Sequence, residues 1–222
     1  MKLKTATELI DSQNLLNDVN QFYNRITFDI KQSEKDRLNG AIMASMGAGN
    51  PKGTRLTPNS ELKNAIHSVL KELLTEICKT DLSIEKYDDL FSKTLEKLAA
   101  VSKEKDSDCW MTFGRLQKII NIYVKYYITL TLLKENDRDF EPYEKLIPVA
   151  HIPIDRIVLH WFSLKKNNPD EEGRKLIKCI GSWKKNLTLE KYRQIQEIAR
   201  KVSGQHGLTP FELEMKIWLE NI

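Results

Sequence analysis

Residues 112–133, TFGRLQKIINIYVKYYITLTLL, decide the fold of this protein because they are apolar on almost every side of a helix. A helix that is hydrophobic all round is buried, either at the centre of a large domain or in a membrane. Lys118 and Lys125 interrupt the apolar run that a membrane span of about 18 residues or more requires. We therefore predict a central buried helix over 112–134 and no membrane segment.

The rest of the chain carries the periodicity of amphipathic helices. Apolar residues recur with a period near 3.6 in 6–26, after Ser60 and after Ser83, and these two serines are of a type that often caps helices. A helix is also predicted over 33–46. A further helix is predicted to begin after Thr188 and to end at Gly204, since glycine is common at helix C-termini.

The clearest helix start lies near the C-terminus, in TPFELEMKIWL. Thr209 is a typical N-cap, Pro210 fits the first helical position, and Glu212 completes a capping box. The sequence gives little indication of β-strands. The sequence therefore predicts an all-α fold: a single compact domain, 1–222, of about eight or nine helices around the central helix. A sub-division near 102–111 is the alternative.

Glycine, proline and clustered charges predict the loops. Residues 47–58 are the clearest loop, and their GAGNPKGT sequence is similar in composition to a phosphate-binding loop. However, Lys52 precedes Gly53 instead of following it, and no strand leads into the loop, so a mobile surface loop or lid is predicted. Polar residues predict a linker at 101–108, and prolines predict an extended segment at 146–153.

The charge distribution favours a polyanion as partner. The 222-residue chain is 30% charged with a net charge of +4, but residues 156–201 carry twelve Lys or Arg against five Asp or Glu. Such a basic segment suits DNA or RNA. The alternative is an ordinary solvated surface, because the basic residues are scattered rather than contiguous.

The cysteines and histidines give no sign of a metal or a cofactor. Cys78, Cys109 and Cys179 are odd in number and far apart, which predicts buried free thiols in a reducing compartment. His151 and His160 are nine residues apart, a spacing without a zinc register on one helix. No signal peptide is recognisable at the N-terminus, so we predict a cytoplasmic protein without metal or cofactor.

The central helix carries one narrow polar seam. Its members are spaced by three or four residues and fall within an arc of roughly 80°. A fully buried, unpaired lysine costs several kcal/mol, so the seam must face water, a carboxylate or a ligand. We predict the wall of a pocket for an anion or for a lysine nucleophile; a solvent-facing side is the alternative. The seam consists of Gly114, Lys118, Asn121, Lys125 and Thr129.

Asp155 is the predicted acidic partner of this seam. It stands where an N-cap belongs, immediately before the helical segment RIVLHWFSL. Its carboxylate would also be able to pair with Lys118 or Lys125. Arg156, in the first turn of the same helix, is predicted to contribute to ligand binding.

A resemblance points in the same direction. QKIINIYVKY, at 117–126, followed by IPID and Arg156, resembles the helix-hairpin-helix DNA glycosylases over roughly 45 of the 222 residues. It is most similar to the archaeal branch that removes oxidised guanine. The resemblance implies that Lys118 forms a Schiff base with the sugar and that Asp155 assists. The stretch is also similar to a group of prokaryotic proteins without an assigned function.

Three functions are compatible with the sequence. The first is a helical protein that binds nucleic acid or another polyanion through a basic pocket and the basic segment. The second is a DNA base-excision glycosylase and lyase with Lys118 as nucleophile. The third is a protein-interaction module with an exposed apolar patch around Phe211 and Trp218.

Overall fold

The computed structural model describes residues 12–26, 33–46, 60–105, 111–133 and 141–220. Within these residues it contains ten α-helices, one 3₁₀ helix and no strand, which confirms the all-α fold class. The helices are α1 Ser12–Arg25, α2 Glu34–Met46, α3 Ser60–Lys79, α4 Ile84–Lys105, α5 Phe113–Leu132, α6 Arg156–Ser163, α7 Glu171–Ile180, α8 Trp183–Asn186, α9 Leu189–Gln205 and α10 Pro210–Glu220; the 3₁₀ helix is Glu141–Leu146.

Helix α5 is the centre of the compact domain, as predicted. All of its 20 residues except Phe113 and Arg115 are buried. Helices α1, α2, α4 and α8 pack directly against it. Tyr123, Tyr126 and Tyr127 are buried in this core, where burial raises the pKa of each phenol. These three tyrosines therefore fill the interior and are not exposed for stacking on a ligand.

Several helices begin at the capping residues that the sequence indicates. The Lys86 amide donates to Ser83 Oγ over 3.2 Å, and the Lys191 amide donates to Thr188 Oγ1 over 3.3 Å. At the start of α10 the Thr209 amide donates to Glu212 Oε2 over 2.7 Å, which forms the predicted capping box. These side chains satisfy amide groups that have no partner within the helix.

Three predicted boundaries are wrong. Helix α4 continues to Lys105, so 101–105 is helical, because Val101 packs against the core beneath a polar outer face. Gly204 lies inside α9; the turn is made by Gly207, which has a φ of 68°. Residues 146–149 form 3₁₀ structure and turns, and residues 150–155 have no regular secondary structure.

Further predictions concern the cysteines, the loops, the 102–111 segment and membrane insertion. Cys78 and Cys179 are exposed, so the prediction of buried thiols is wrong for both. Cys109, the 47–58 loop and residues 106–110 lie outside the described residues. Helices α4 and α5, on either side of the 102–111 segment, pack against each other. Among the described helices none is long and apolar enough to cross a bilayer.

Candidate functional site

The Lys118 ammonium lies 2.8 Å from the Asp155 carboxylate, as an ion pair between α5 and the start of α6. Their side chains are 10% and 16% exposed, so the pair sits at the boundary of core and solvent. Of the two lysines considered as partners for Asp155, Lys118 is the one that pairs with it. The two residues that the resemblance singled out are therefore in direct contact.

The Asp155 carboxylate has two roles at once. Oδ1 accepts hydrogen bonds from the amides of Ile157 and Val158, at 2.9 and 3.1 Å, and so caps α6. Oδ2 accepts from Lys118 Nζ. The predicted N-cap is confirmed, and the cap holds the second oxygen toward the lysine. A carboxylate fixed in this way is oriented before any ligand arrives.

The ion pair lies on the wall of a cavity of about 430 Å³ that opens to solvent. This volume falls within the range of small-molecule and cofactor sites. Cationic side chains outnumber anionic ones among the described lining residues, and two tryptophans add aromatic surface. The lining residues are Met43, Ala44, Lys118, Asp155, Arg156, Ile157, Trp183, Lys184 and Trp218.

Trp183 lies among the positive charges of the cavity. Its ring centroid is 5.2 Å from Lys118 Nζ and 5.4 Å from Lys184 Nζ, within the range of cation–π attraction. Burial, followed by the charges of Arg115 and Lys118, lowers the pKa of Lys184. The cavity thus concentrates positive charge around an aromatic face, a combination suited to an anion that carries a ring.

Gly114 allows another part of the protein to approach α5 closely, and the approaching group is backbone. A Cβ atom at this position would lie 2.1 Å from the carbonyl oxygen of Trp183. The absence of a side chain lets α8 lie directly against α5. Gly114 is not among the described residues that line the cavity; its effect on the site is to allow Trp183 and Lys184 to reach it.

The Asn121 side chain likewise points into the interior of the protein. Its Nδ2 is within hydrogen-bond distance of Tyr192 Oη at 2.8 Å, Gln117 Oε1 at 3.0 Å and the Ile152 carbonyl at 3.2 Å. The side chain is 1% exposed and is not among the described residues around the cavity. It acts as a buried connector between α5, α9 and the segment that leads to Asp155.

Lys125 forms a second ion pair, this one inside the core. Its Nζ lies 2.5 Å from Glu214 Oε2, and the side chains are 2% and 3% exposed. Phe22 lies close by, with its ring centroid 4.1 Å from the ammonium. Desolvation lowers the pKa of Lys125 and raises that of Glu214, and their mutual attraction opposes both shifts.

The residues of the polar seam therefore lie in two different environments. Lys118 reaches the cavity, whereas Lys125 and the Asn121 amide nitrogen have partners in the interior; Asn121 Oδ1 is buried without a hydrogen-bond partner among the described residues. The expectation that both ammonium groups share one open pocket is not met, because Glu214 from α10 closes over Lys125. Arg156, by contrast, lines the cavity together with Lys118 and Asp155.

Sequence reasoning missed several residues of the site. Lys184 and Trp183 come from α8, a four-residue helix that is too short to show helical periodicity in the sequence. Glu214 had a usable signal, since it is an acid on a helix, PFELEMKIWLE, whose other residues are mostly apolar. A buried acid on such a helix requires a basic partner.

A second polar cluster, around His151, lies on the far side of Asn121. Burial raises the pKa of Asp88, but hydrogen bonds with His151 and Arg200 outweigh it and lower the pKa below its usual value. Asp88 Oδ1 lies 2.6 Å from His151 Nε2, and Arg200 Nη2 lies 2.9 Å from the same nitrogen. The other ring nitrogen, Nδ1, lies 3.0 Å from Tyr192 Oη. Burial lowers the pKa of His151, and Asp88 acts in the opposite direction.

The basic segment 156–201 is less available for a polyanion than its composition indicates. Lys175 pairs with Glu171 and Glu172, and Arg200 pairs with Asp88. Arg156 and Lys184 are the basic residues of this segment that line the cavity. The described residues contain no group of three or more His, Cys, Asp or Glu arranged to hold a metal ion.

The predicted apolar patch at the C-terminus is wrong for Phe211, which is 4% exposed within the core. Trp218 is half-buried and packs edge-on against Phe22 with ring centroids 4.9 Å apart. Its remaining surface belongs to the cavity wall. The tryptophan is thus part of the concave site beside Lys118.

The chain matches no protein-family model, no curated protein and no solved structure to a significant degree. Its function is therefore inferred from the chemistry of the site.

Proposed function

We propose that this protein binds DNA at the Lys118–Asp155 cavity and acts there as a base-excision glycosylase and lyase. The observation that carries the proposal is the 2.8 Å contact between Lys118 Nζ and Asp155 Oδ2 on the wall of an open cavity of about 430 Å³. A lysine nucleophile needs a nearby group that takes its proton and a space in which the substrate meets it.

The remaining lining residues suit a nucleotide. Arg156 and Lys184 supply positive charge for phosphate groups. Trp218, which is half-buried, supplies aromatic surface on which an unstacked base is stabilised, and the buried Trp183 makes cation–π contacts with Lys118 and Lys184. Enzymes that act on a base in duplex DNA turn the nucleotide out of the helix into a pocket, and this cavity has a suitable size.

In the proposed reaction Asp155 accepts the ammonium proton of Lys118, and the neutral amine attacks C1′ of the deoxyribose. The bond from C1′ to the base breaks, its electron pair leaves with the base, and the base takes up the proton that Asp155 accepted. The C1′–O4′ bond then breaks, the ring oxygen takes up a proton given up by the Lys118 nitrogen, and an imine remains on Lys118. Loss of the C2′ proton and departure of the 3′ phosphate cleave the strand, and water releases Lys118.

Borohydride trapping tests this proposal. A duplex with an abasic site, and a second duplex with an oxidised guanine, are incubated with protein and sodium borohydride, which reduces an imine to a stable covalent adduct. We expect an adduct with the wild type, none with Lys118→Ala, and a loss of at least a hundredfold in rate with Asp155→Asn.

Lys175→Ala is the matched control, since Lys175 is an exposed lysine whose partners are on its own helix. This variant should trap as well as the wild type. Failure of the wild type to trap either duplex, or equal adducts with wild type and Lys118→Ala, would contradict the proposed reaction.

Binding of nucleic acid without chemistry is the second candidate. It is favoured by the excess of cations around the cavity, where Lys118, Arg156 and Lys184 face one carboxylate, Asp155. Binding that depends on such contacts weakens with salt, by a slope of about 0.7 to 0.9 for each phosphate neutralised.

Fluorescence anisotropy with single-stranded and duplex DNA and with RNA tests this candidate. The double variant Arg156→Ala/Lys184→Ala should reduce the salt slope by about one to two. Affinity that is unchanged between low and high salt would exclude it.

A further inference from the structure

Residues 150–154, which lead to Asp155, are buried and have no regular secondary structure, and no strand is present among the described residues to pair with them. Buried backbone groups require hydrogen-bond partners. At Ile154 both partners come from one side chain: Gln117 Nε2 donates to the Ile154 carbonyl over 2.7 Å, and the Ile154 amide donates to Gln117 Oε1 over 3.1 Å. Gln117 is completely buried.

A second glutamine makes the same arrangement two residues earlier. Gln196 Nε2 donates to the Ile152 carbonyl over 2.8 Å, and the Ile152 amide donates to Gln196 Oε1 over 3.0 Å. In a sheet, a neighbouring strand supplies one donor and one acceptor to alternate residues. Here the two side-chain amides, one from α5 and one from α9, take the place of that strand.

The orientation of the Gln117 amide is fixed by further bonds. Its Nε2 also donates to the Gly114 carbonyl over 2.8 Å, and its Oε1 also accepts from Asn121 Nδ2 over 3.0 Å. Each of its two N–H groups and both lone pairs thus have a partner. A rotated amide would set its NH₂ group against the Ile154 amide, so only the observed orientation satisfies all the groups.

Gln117 and Ile154, which are hydrogen-bonded to each other, each directly precede one member of the ion pair. Gln117 is followed by Lys118, and Ile154 is followed by Asp155. The two hydrogen bonds between Gln117 and Ile154 therefore connect α5 to the end of the segment 150–154, within one residue of each charged group.

We propose that Gln117 is a positioning residue that sets the distance between Lys118 and Asp155. As a statement about activity, the proposal rests on the proposed function of that pair. Gln196 holds the same segment but is bonded at Ile152, three residues before Asp155. It stabilises the path of the chain and should affect the pair much less.

The test uses Gln117→Glu and, as matched control, Gln196→Glu. A carboxylate has nearly the shape of the amide but cannot donate to the carbonyl of Ile154 or Ile152. Reductive methylation of lysines with formaldehyde and cyanoborohydride, followed by mass spectrometry, measures the reactivity of Lys118 without DNA. Thermal unfolding of each variant establishes that it is folded.

We expect Lys118 to be methylated about tenfold faster in Gln117→Glu, because a displaced Asp155 no longer holds its ammonium group. In Gln196→Glu the rate should stay within about twofold of the wild type. If Gln117→Glu does not fold, Gln117→Asn serves instead, since it keeps both polar groups on a side chain one methylene shorter. An unchanged rate in the folded Gln117 variant, or an equal increase in Gln196→Glu, would overturn the proposal.

Borohydride trapping on the abasic duplex then separates this proposal from the proposed function. If wild type traps DNA, Gln117→Glu should lower the trapping rate at saturating DNA about tenfold while its affinity for the duplex is unchanged. If the wild type does not trap DNA but the methylation rates differ as expected, the proposed reaction is wrong and the positioning role of Gln117 is retained.

Discussion

Lys118 and Asp155 are 37 residues apart in the chain, yet Nζ of one lies 2.8 Å from Oδ2 of the other. The contact exists because the extended segment before α6 runs back along α5 and ends beside Lys118. A pair at the edge of the core is only partly screened by water, so it is stronger than a surface pair and remains accessible to a ligand. These two properties make the pair a candidate for chemistry.

Replacing Asp155 should separate its structural role from its electrostatic role. Asp155→Ala removes the acceptor for two amides of α6 and the partner of Lys118, and should lower the free energy of unfolding by about 2 kcal/mol. Asp155→Asn keeps an oxygen for the cap and should cost less. Urea unfolding measures both values.

Asp170→Ala is the control for this prediction. Asp170 caps α7 through one bond, from the Gly173 amide over 3.1 Å, and Lys201 lies 3.9 Å from its other oxygen. Its loss should cost about 1 kcal/mol. Equal costs for the two alanine variants would show that Lys118 adds nothing to the stability of the folded protein.

Gly114→Ala should disturb both folding and the cavity. The new methyl group would lie 2.1 Å from the Trp183 carbonyl oxygen, which belongs to backbone and cannot rotate away. We expect a loss of about 1 to 3 kcal/mol in stability and a shift in tryptophan fluorescence as α8 moves. Thermal unfolding and an emission spectrum measure these changes.

Gly204→Ala is the matched control, since no atom lies within 4 Å of a Cβ built at this position in α9. Alanine is preferred to glycine within a helix, so this variant should be stabilised by about 0.5 to 1 kcal/mol. Destabilisation at Gly204 comparable to that at Gly114 would mean that the contact with Trp183 is not the cause.

The buried pair of Lys125 and Glu214 should tolerate removal of both charges better than removal of one. Lys125→Met leaves the Glu214 carboxylate without its partner and should cost about 3 to 5 kcal/mol at neutral pH. Burial raises the pKa of Glu214, so the loss should shrink as the pH falls and the carboxyl gains its proton.

The double variant Lys125→Met/Glu214→Met should be close to the wild type in stability or more stable. A double-mutant cycle from urea unfolding measures the coupling energy of the two residues. Additive costs of the two single variants would show that the ion pair is not coupled. Lys175 and Glu171, an exposed pair, provide a comparison with an expected coupling below about 1 kcal/mol.

His151 should make stability depend on pH near neutrality. Burial lowers its pKa in the folded protein below 6.5, so the unfolded chain binds more protons between that lowered value and 6.5. Its stabilising contribution is complete above pH 6.5 and is lost as the pH falls toward the folded pKa. The slope is at most about 1.4 kcal/mol per pH unit.

Urea unfolding across this window, with wild type and His151→Gln, measures the effect. The variant should lose the slope, and His206→Gln, at an exposed histidine, should keep it. An identical slope in wild type and His151→Gln would mean that other groups titrate in this range.

The sequence by itself determined the helical framework. Periodicity gave α5 as the buried centre, because a helix that is apolar all round must be surrounded. The capping residues Asp155, Thr188 and Thr209 gave helix starts, because a cap is a local interaction between a side chain and amides two or three residues ahead. The requirement that buried lysines have partners also followed from composition alone.

Only the tertiary structure decided which partner each polar group has. Lys118 and Lys125 are equivalent in the sequence pattern, but α6 brings Asp155 to one and α10 brings Glu214 to the other. The same holds for Gly114, whose open side is filled by the backbone of Trp183. Such contacts join residues tens of positions apart, and their formation depends on how whole helices pack, which the local pattern of residues does not specify.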